Sequence, residues 1–480
     1  MLPSVWLTGV LAVCGCQSGT SDRTTGDTST TLTGPTSNTG ATGPTSGATS
    51  VGSATAGSGS GATSATSGPP KFDLGVSADM GGGECGATND ATLTGVVHAP
   101  NGTVPVSGAL VYVSDTPPAG IPQEVYCAKC EALPPCTPFT LTNPDGSFTL
   151  KTSSGAGKYL AVVKGQFMRI RPIDIAPGDT PLDASYTDLP GENDPANGLY
   201  IPKIALGMSS PDSFWLILGK VGLGQVDGND NLVPGTEQFD IYADGLDPAT
   251  YGFTSQGPIE NLLSDPTKLA QYHIIFTPCI SDPAEFAVEN DPTPVLEWVA
   301  AGGRIYATDY AEDVIEALFP DYQTFNGEPP DPVPVGFYDS DATVLDANLL
   351  AWLEALPDDL KDVNPLNGGG TTWPTLFDLP TVRIIDNYTG IVYPLPSIQV
   401  PDGMGGMIDV GHKAWIEGPW PGPGGISPLA VMGQYGCGRL HFTSYHTVGA
   451  PHKGMIPQEL IMLYSILEVG VCTDQVPPEG

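Results

Sequence analysis

One stretch, residues 272–310, constrains the fold of this chain more than any other. It holds two short apolar runs, 272–276 and 304–308, on either side of a helix-like segment at 294–301. An acidic, proline-containing connector precedes that helix, and a glycine pair at 302–303 lies where a helix C-cap would be. Because parallel strands need a long crossover, this order of elements predicts a βαβ unit.

The carboxyl ends of the two predicted strands are Cys279 and Asp309. Ligands of open α/β sheets bind at this end of the strands, so we expect a site there. Upstream, residues 211–221 read as a helix with Asp212 or Ser213 as its N-cap. Residues 227–231 are rich in oxygen ligands but lack EF-hand spacing, which favours a solvated loop over a calcium site.

The first residues have the features of an export signal. Residues 5–13 are apolar but too short to span a bilayer, and they lead into Gly15-Cys16. Gly15 before Cys16 resembles the bacterial lipobox, which implies a signal peptide over 1–16 and a lipid on Cys16. Gln17 resembles the residue that sorts lipoproteins to the Gram-negative outer membrane. The alternative is an ordinary cleaved signal peptide.

Residues 17–70 consist almost entirely of Ser, Thr, Gly and Ala and predict a disordered linker, since nothing in them can form a core. The whole chain carries 53 Asp+Glu against 17 Lys+Arg, a formal charge of −36. This charge argues against nucleic acid as a partner, because phosphates repel an acidic surface.

From residue 71 to 198, alternating apolar residues predict short strands. The clearest runs are 93–97, 109–113, 147–150 and 159–164. Short strands separated by turn signals predict a small antiparallel β-sandwich. Gly95, Gly108 and the Asn-Pro-Asp-Gly turn at 143–146 resemble the carboxypeptidase regulatory-like domain, a transthyretin-type sandwich, over 91–185. The resemblance implies an accessory or spacer module without peptidase activity.

The chain has nine cysteines, and three of them lie close together, at 127, 130 and 136. With Cys85 or His98 as a fourth ligand they have the residue types of a zinc site. Disulfides are the favoured interpretation, because an exported chain meets an oxidising compartment. Cys437 with Cys472 is a candidate pair, and Cys279 is the candidate for a free thiol. The disulfide candidates are Cys85, Cys127, Cys130, Cys136, Cys437 and Cys472.

The remaining region, residues 199–475, resembles the class I glutamine amidotransferase-like fold, including its ThuA-like branch. The resemblance rests on the strand ending Pro278-Cys279, the helix ending at the glycine pair, the strand ending Thr308-Asp309-Tyr310, and the late run 438–446. It implies an α/β flavodoxin-like three-layer domain with an insertion at about 326–424. In that family the strand after the helix carries a cysteine nucleophile, and a late strand presents a histidine.

The chain departs from that family at the catalytic positions. The turn after this strand, where the family has its nucleophile, is called the nucleophile elbow. Here it reads Ala307-Thr308-Asp309-Tyr310 and has no thiol, while Cys279 lies one strand earlier. His446 matches the late histidine, but Val448 stands where the orienting glutamate is expected. Because acyl transfer of this kind needs a nucleophile, a base and an orienting acid, glutamine hydrolysis is not expected.

Several polar side chains near the predicted strand ends can still form a metal or polar-ligand site. They are Asp309, Tyr310, Glu312, Asp313, His441, His446 and His452. Asp309 and His446 are the candidate catalytic residues of such an enzyme. The structural alternative makes Asp309 an N-cap of the helix at 311–319 and His446 a buried relic.

Four tryptophans, at 352, 373, 415 and 420, either stack on a glycan or anchor the core. The predictions combine into a lipid-anchored cell-envelope protein, at the outer membrane, that binds or scaffolds without catalysis. Its expected partners are the membrane through the lipid anchor and a glycan or protein; no cofactor is expected, with a metal as the alternative. Two other hypotheses are a hydrolase or metal-dependent enzyme, and a passive structural lipoprotein.

Overall fold

A computed structural model describes residues 89–128, 133–279, 281–325, 337–401, 406–409, 411–422, 424–449 and 452–469. The predicted signal segment with Cys16, the linker at 17–70, and Cys85, Cys130 and Cys472 lie outside these residues. Within the described ranges, none of the helices has the length and apolar character needed to cross a membrane.

Two sheets form the first part of the described chain. Their strands are β1 (Ala91–Val96), β2 (Leu110–Ser114), β3 (Phe139–Leu141), β4 (Ser147–Thr152), β5 (Gly155–Lys164), β6 (Phe167–Ile175), β7 (Gly178–Pro181) and β8 (Leu199–Tyr200), with helix α1 (Ala184–Thr187) before β8. The strand orders are β4-β1-β7 and β3-β2-β5-β6-β8. All four predicted strands are confirmed, as β1, β2, β4 and β5. Alternate residues such as Leu93, Val111 and Leu150 are buried in one core, as expected for two sheets packed face to face.

The second part alternates strands and helices. Its first elements are β9 (Ile204–Met208), α2 (Phe214–Lys220), β10 (Asp240–Ala243), β11 (Ser255–Pro258), α3 (Glu260–Leu263), α4 (Pro266–Leu269), β12 (Ile274–Thr277), α5 (Asp282–Asn290), α6 (Thr293–Ala300), β13 (Arg304–Thr308) and α7 (Glu312–Leu318). They continue with β14 (Tyr338–Val344), α8 (Ala347–Ala355), α9 (Asp358–Lys361), α10 (Val363–Leu366), β15 (Thr381–Asn387), β16 (Gln399–Pro401), β17 (Met407–Asp409), β18 (Lys413–Pro419), β19 (Ile426–Tyr435), β20 (Gly438–Thr443) and α11 (Pro457–Val469).

Ten of these strands form one sheet, in the order β11-β10-β9-β12-β13-β20-β19-β18-β14-β15. The pairs from β11 to β20 are parallel, and those from β20 to β15 are antiparallel. Three strands that fall wholly or mainly within the predicted insertion at 326–424, namely β14, β15 and β18, thus extend the main sheet.

Helices cover both faces of this sheet. The evidence is that successive residues of one strand pack into two different hydrophobic cores. In β12, Ile274 and Phe276 pack in the core that contains α2, α8 and α11 residues, whereas Ile275 packs with residues of α3 to α7. Strands buried on both faces read as continuous apolar runs, which is what the sequence shows at 272–276.

The predicted βαβ unit is confirmed, since β12 and β13 pair in parallel with Ile274 opposite Arg304. Gly302 follows the helix end in a positive-φ conformation, at +123°, as a C-terminal glycine commonly does. The connector, however, contains helix α5, which the sequence analysis missed. Pro283 lies in the first turn of α5, where a proline needs no hydrogen-bonding N–H and does not interrupt a helix.

The two parts of the chain share an apolar core that includes Leu93 and Leu467. Trp352 of α8 donates a hydrogen bond from Nε1 to the Pro105 carbonyl at 2.8 Å, and Asn101 donates to the Lys220 carbonyl at 3.0 Å. A disulfide joins Cys127 to Cys437. The predicted pairing of Cys437 with Cys472 is therefore wrong.

Close to the disulfide, the segment that contains Tyr126 and Cys127 packs against the turn after α6. A Cβ on Gly302 would meet the Tyr126 carbonyl at 2.0 Å, so only glycine permits this approach. Sequence spacing could not reveal the pairing, because 310 positions separate the two cysteines. Cys136 is also disulfide-bonded. Cys279 is free, as predicted.

Candidate functional site

Asp309 occupies a tight turn directly after β13. Its φ of +48° lies in the left-handed region, which non-glycine residues rarely adopt. The side chain is 1% exposed, and neither carboxyl oxygen has a partner in ordinary hydrogen-bond geometry. The predicted capping role is wrong, because the first residues of α7 receive no side-chain cap. A strained backbone and an unpartnered buried carboxyl mark this turn as a candidate site.

His446, three residues beyond β20, faces Asp309 across the carboxyl ends of the neighbouring strands. Its Nε2 lies 3.6 Å from Asp309 Oδ2. The other ring nitrogen, Nδ1, lies 2.6 Å from the Thr447 carbonyl, which can only accept a hydrogen bond. Nδ1 therefore carries the proton in the neutral ring, and Nε2 presents its lone pair to Asp309.

Further carboxyl groups surround Asp309. Burial raises its pKa well above the ordinary value, and Glu312, Asp212 and Asp386 raise it further. The Thr389 amide lies outside ordinary hydrogen-bond geometry and only partly opposes this rise. We call Asp309, Glu312, Asp386 and His446 the strand-end cluster.

Glu312, at the first position of α7, is half-buried, and its Oε1 accepts a hydrogen bond from the Thr389 hydroxyl at 2.6 Å. Its Oε2 is buried without a partner. Burial raises the pKa of Glu312 to about 8, and Asp313 and Glu316 add to the rise. The carboxyl is therefore largely protonated near neutral pH.

Asp212 ties the strand ends together. It was predicted as a possible cap of the helix at 211–221, but the N-cap of α2 is Ser213, and no side chain caps this helix. The Asp212 carboxylate instead accepts hydrogen bonds from the hydroxyls of Thr308 and Thr447, each at 2.6 Å. It is fully buried and fixes the turns that carry Asp309 and His446.

Three aromatic rings lie beside the cluster. Tyr310 and Tyr388 stack with ring centroids 4.2 Å apart, and Phe337 meets Tyr388 at 5.1 Å with an interplanar angle of 75°. Phe337 is 56% exposed, while the two tyrosines are half-buried. We call these three residues the aromatic group. They connect the surface with the strand-end cluster, since Tyr310 adjoins Asp309 and Tyr388 adjoins Thr389.

Only some of the polar residues that were predicted to form the site lie near one another. His441 lies inside β20, buried against the Tyr306 ring at 4.3 Å, and burial lowers its pKa to about 3. His452 pairs instead with Glu459, with Nε2 2.9 Å from Oε2. Asp386 and Tyr388 were missed, because no local pattern links them to a strand end 77 residues or more away in the sequence.

Cys279 is buried beneath the same strand ends. Its thiol is 1% exposed, and burial together with Asp309 raises its pKa well above the ordinary value. A thiol that holds its proton is a weak nucleophile.

The alternative zinc site near Cys127 does not form. Cys127 and Cys136 are both disulfide-bonded, and His98 Nδ1 lies 2.9 Å from Asp188 Oδ1. In the described residues, no group of three His, Cys, Asp or Glu side chains is arranged to hold a metal ion. Asp227 binds backbone amides of its own loop, those of Asn229 and Asn231, as expected for a solvated turn.

The four tryptophans proposed for glycan stacking are all buried. Trp352 is 1% exposed and Trp373 9%, with Trp415 and Trp420 between them. Their interpretation as glycan-stacking residues is therefore wrong, and the core interpretation is confirmed.

Glu312→Gln is expected to flatten the pH dependence of stability. Glu312 has a pKa of about 8 in the folded protein and 4.5 in an exposed chain, so the folded state holds this proton more tightly. Its contribution to the free energy of unfolding is therefore fully present below pH 4.5 and is lost as the pH rises through 8. The melting temperature of the parent should thus fall more than that of the variant across this interval. The exposed Glu354→Gln serves as the control and should follow the parent. Parallel curves for parent and Glu312→Gln would contradict the raised pKa.

A scan against protein-family models finds no match for this chain, and a search of curated proteins finds none. Among solved structures, a type II cohesin-X-dockerin complex from Acetivibrio cellulolyticus is similar at 14% identity, covering 28% of this chain and 84% of that chain, with a TM-score of 0.17. A cytoplasmic protein from Salmonella typhimurium is 12% identical over 56% of this chain and 98% of its own, with a TM-score of 0.26. A beta-galactosidase from Rahnella sp. R3 is 12% identical over 60% of this chain and 34% of its own, with a TM-score of 0.24. Similarities at these TM-scores carry no information about function.

Proposed function

We propose that this chain is a lipid-anchored cell-envelope protein that binds or scaffolds through an amidotransferase-like domain without thiol catalysis. The observation that carries this proposal is the turn after β13. It has the positive φ of a nucleophile elbow, but it presents the carboxyl of Asp309 instead of a thiol.

The strand order supports a doubly wound α/β interpretation of this domain. Six parallel strands, β11, β10, β9, β12, β13 and β20, lie side by side, which in chain order is 3-2-1-4-5-6. Without the edge strand β11, the remaining five follow the order 2-1-3-4-5 of flavodoxin-like proteins. In both kinds of sheet, ligands bind beyond the carboxyl ends of the strands. The two-sheet part before it agrees with a carboxypeptidase regulatory-like spacer.

The thiol chemistry of the family is missing from the described site. Cys279 lies at the end of β12, one strand away from the elbow, with its protonated thiol buried. Its amide donates a hydrogen bond to the Thr308 hydroxyl at 2.9 Å, so it serves as part of the turn scaffold. His446 therefore has a carboxyl, and no thiolate, as its neighbour.

The envelope location rests on the lipobox-like Gly15-Cys16 and the acidic composition, and the disulfide agrees with an oxidising compartment. Under this proposal the lipid on Cys16 holds the protein at the outer membrane. A glycan or protein is then its partner in the envelope.

Glutamine-hydrolysis and alkylation assays on the parent test the missing thiol. The parent is expected to release no ammonia from glutamine and to resist iodoacetamide in the native state, because Cys279 is buried and protonated. Position 309 is as buried as Cys279, so a thiol introduced by Asp309→Cys is also expected to resist iodoacetamide until the protein unfolds. Mass spectrometry locates the modified cysteine. Glutamine hydrolysis by the parent that iodoacetamide abolishes would overturn the proposal.

A second candidate function is a carboxyl-dependent hydrolase that uses Asp309 and His446. The unpartnered Asp309 carboxyl at 3.6 Å from the His446 lone pair favours it, since such a pair can exchange a proton. In the same assay, ester or amide hydrolysis by the parent that persists after iodoacetamide and disappears in Asp309→Asn would favour this candidate over pure binding.

A further inference from the structure

Residues 388–390 form a short segment against the strand-end cluster, and we call them the cover segment. The residues on either side of it are fully buried and fixed by serine hydroxyls. Asn387 Oδ1 accepts a hydrogen bond from Ser444 at 3.2 Å, and the Ile391 amide donates to Ser427 at 3.0 Å. These two anchors would stay in place if the cover segment moved.

Thr389 brings the cover segment into contact with the cluster. Its hydroxyl donates to Glu312 Oε1 at 2.6 Å, and its amide lies near the Asp309 carboxyl. Its carbonyl accepts a hydrogen bond from the Tyr338 hydroxyl at 3.0 Å. Because Thr389 is only 3% exposed, it shields Glu312 Oε1 from water.

Tyr388 adds a second contact. The centroid of its ring lies 4.2 Å from that of Tyr310, which directly follows Asp309 in the chain. Asp309 and His446 themselves are 1% and 5% exposed. A ligand therefore reaches neither of them from solvent unless a neighbouring segment moves.

The stability of this closed arrangement depends on the charge of Glu312. Its Oε2 is buried without a hydrogen-bond partner. Burial raises the pKa of Glu312 to about 8, and the hydrogen bond from Thr389 opposes this rise only in part. The closed arrangement thus favours the protonated carboxyl, and ionisation weakens it.

The groups around the Glu312 carboxyl do not compensate a negative charge. Asp313 and Glu316, on the same helix, raise its pKa further. Asp309 and Cys279 interact with it from the strand ends. Because neither the acids nor the thiol supplies a positive charge, an ionised Glu312 gains more from water than from these neighbours.

We propose that the cover segment is a pH-controlled gate over the strand-end cluster. It stays closed while Glu312 is protonated, and ionisation of Glu312 opens it, so that water or a ligand reaches Asp309 and His446. The moving part is residues 388–390, between the anchors Asn387 and Ile391. This inference rests on the proposed function and concerns the regulation of the same site.

Linkage gives the direction of the pH effect. The pKa of Glu312 is about 8 in the closed form, and in the open form water brings it close to the ordinary 4.5. The advantage of the closed form is therefore complete below pH 4.5 and is lost as the pH rises to 8. Opening increases by up to about 10-fold per pH unit between these values and levels off above 8.

Hydrogen exchange of the full chain, analysed by mass spectrometry with residue-level fragmentation, measures this opening. The exchange rates of the amides of residues 388–390 are divided by the intrinsic rates of the unfolded sequence at each pH. In the parent this ratio is expected to rise at least about 10-fold between pH 6 and 8. In Glu312→Gln, which cannot ionise but still offers an oxygen to Thr389, it is expected to change less than about 2-fold.

A second variant tests the contact itself. Thr389→Val removes the hydroxyl and keeps the shape, so the exchange ratio at pH 6 is expected to rise about 5-fold. The matched control is Thr250→Val, which removes a hydroxyl that donates to the Asp247 carbonyl at 2.7 Å in an exposed turn. It should leave the ratio unchanged. The amides of β9 report on the whole fold and should exchange slowly in every variant.

Three outcomes overturn the inference. The exchange ratio of residues 388–390 does not change with pH in the parent, it follows the same pH curve in Glu312→Gln, or it rises only together with that of β9, as in global unfolding. Glu312→Gln decides the matter even if Thr389→Val fails to fold. The proposed function fails separately, by thiol-dependent glutamine hydrolysis. Loss of the pH effect without such hydrolysis would remove the gate and leave the non-thiol binding protein.

Discussion

Glu459→Gln is expected to lower the free energy of unfolding by about 3–5 kcal/mol, the usual cost of leaving one charge of a buried pair uncompensated. Glu459, on α11, lies 2.9 Å from His452 Nε2 and 3.6 Å from Lys220 Nζ of α2. The Glu459 and Lys220 side chains are 2% and 5% exposed. Denaturant unfolding of parent and variant measures the difference.

The physical reason is visible in the pKa of Glu459. Burial alone would raise it, but Lys220 and the hydrogen bond from His452 outweigh burial and hold the pKa below its ordinary value. Without the carboxylate, the Lys220 ammonium stays buried beside a histidine, Nζ to Nε2 at 3.2 Å. The exposed Glu354→Gln is the control and should change stability little.

A double variant, Lys220→Met with Glu459→Leu, distinguishes a lost charge pair from lost packing. Replacing a buried ion pair by apolar residues is often nearly neutral. The double variant should therefore be clearly more stable than Glu459→Gln. If Glu459→Gln itself unfolds at the denaturant concentration of the parent, the three side chains do not act as a buried ionic group.

Replacing both cysteines of the disulfide, Cys127→Ser with Cys437→Ser, is expected to cost about 2–5 kcal/mol of stability. The disulfide closes a loop of 310 positions, so its loss frees a large part of the unfolded chain. Limited proteolysis should also show earlier cleavage near residues 122–128, which the bond attaches to the turn between β19 and β20. Both measurements compare oxidised parent with the double variant.

The free thiol provides the control for this experiment. A reducing agent should destabilise the parent but should have a smaller effect on the double variant, which keeps the disulfide of Cys136. Cys279→Ala keeps the disulfides of Cys127 and Cys136 and should retain the full response to reduction. An unchanged unfolding midpoint in the double variant would mean that the shared core alone joins the two parts.

Local sequence patterns predicted the local elements well. The two strands and the helix of 272–310 lie where expected, because apolar runs buried on both faces leave a clear signature. Helix α5 was missed, since its proline and acids resemble a loop until the first-turn position of Pro283 is known. Patterns also could not show that β14, β15 and β18 continue the main sheet, as strand pairing across long segments leaves no local signal.

The sequence predicted about half of the residues of the candidate site. Asp309 and His446 were placed together, because both follow strands whose carboxyl ends meet at one edge of the sheet. The role of Asp212 was wrong, since a short acid before a helix is typical of a cap and only the fold brings Thr308 and Thr447 to it. Asp386 and Tyr388 come from β15 and the turn after it, and only tertiary structure places them beside Tyr310.

The position of β1 determines how the protein responds to mechanical force. β1 begins at Ala91 and is the middle strand of its sheet, with six register positions against β4 and four against β7. A force applied through the chain before Ala91 and directed along β1 would load its hydrogen bonds to both neighbours at the same time. The first described strand is therefore one that is paired on both of its edges.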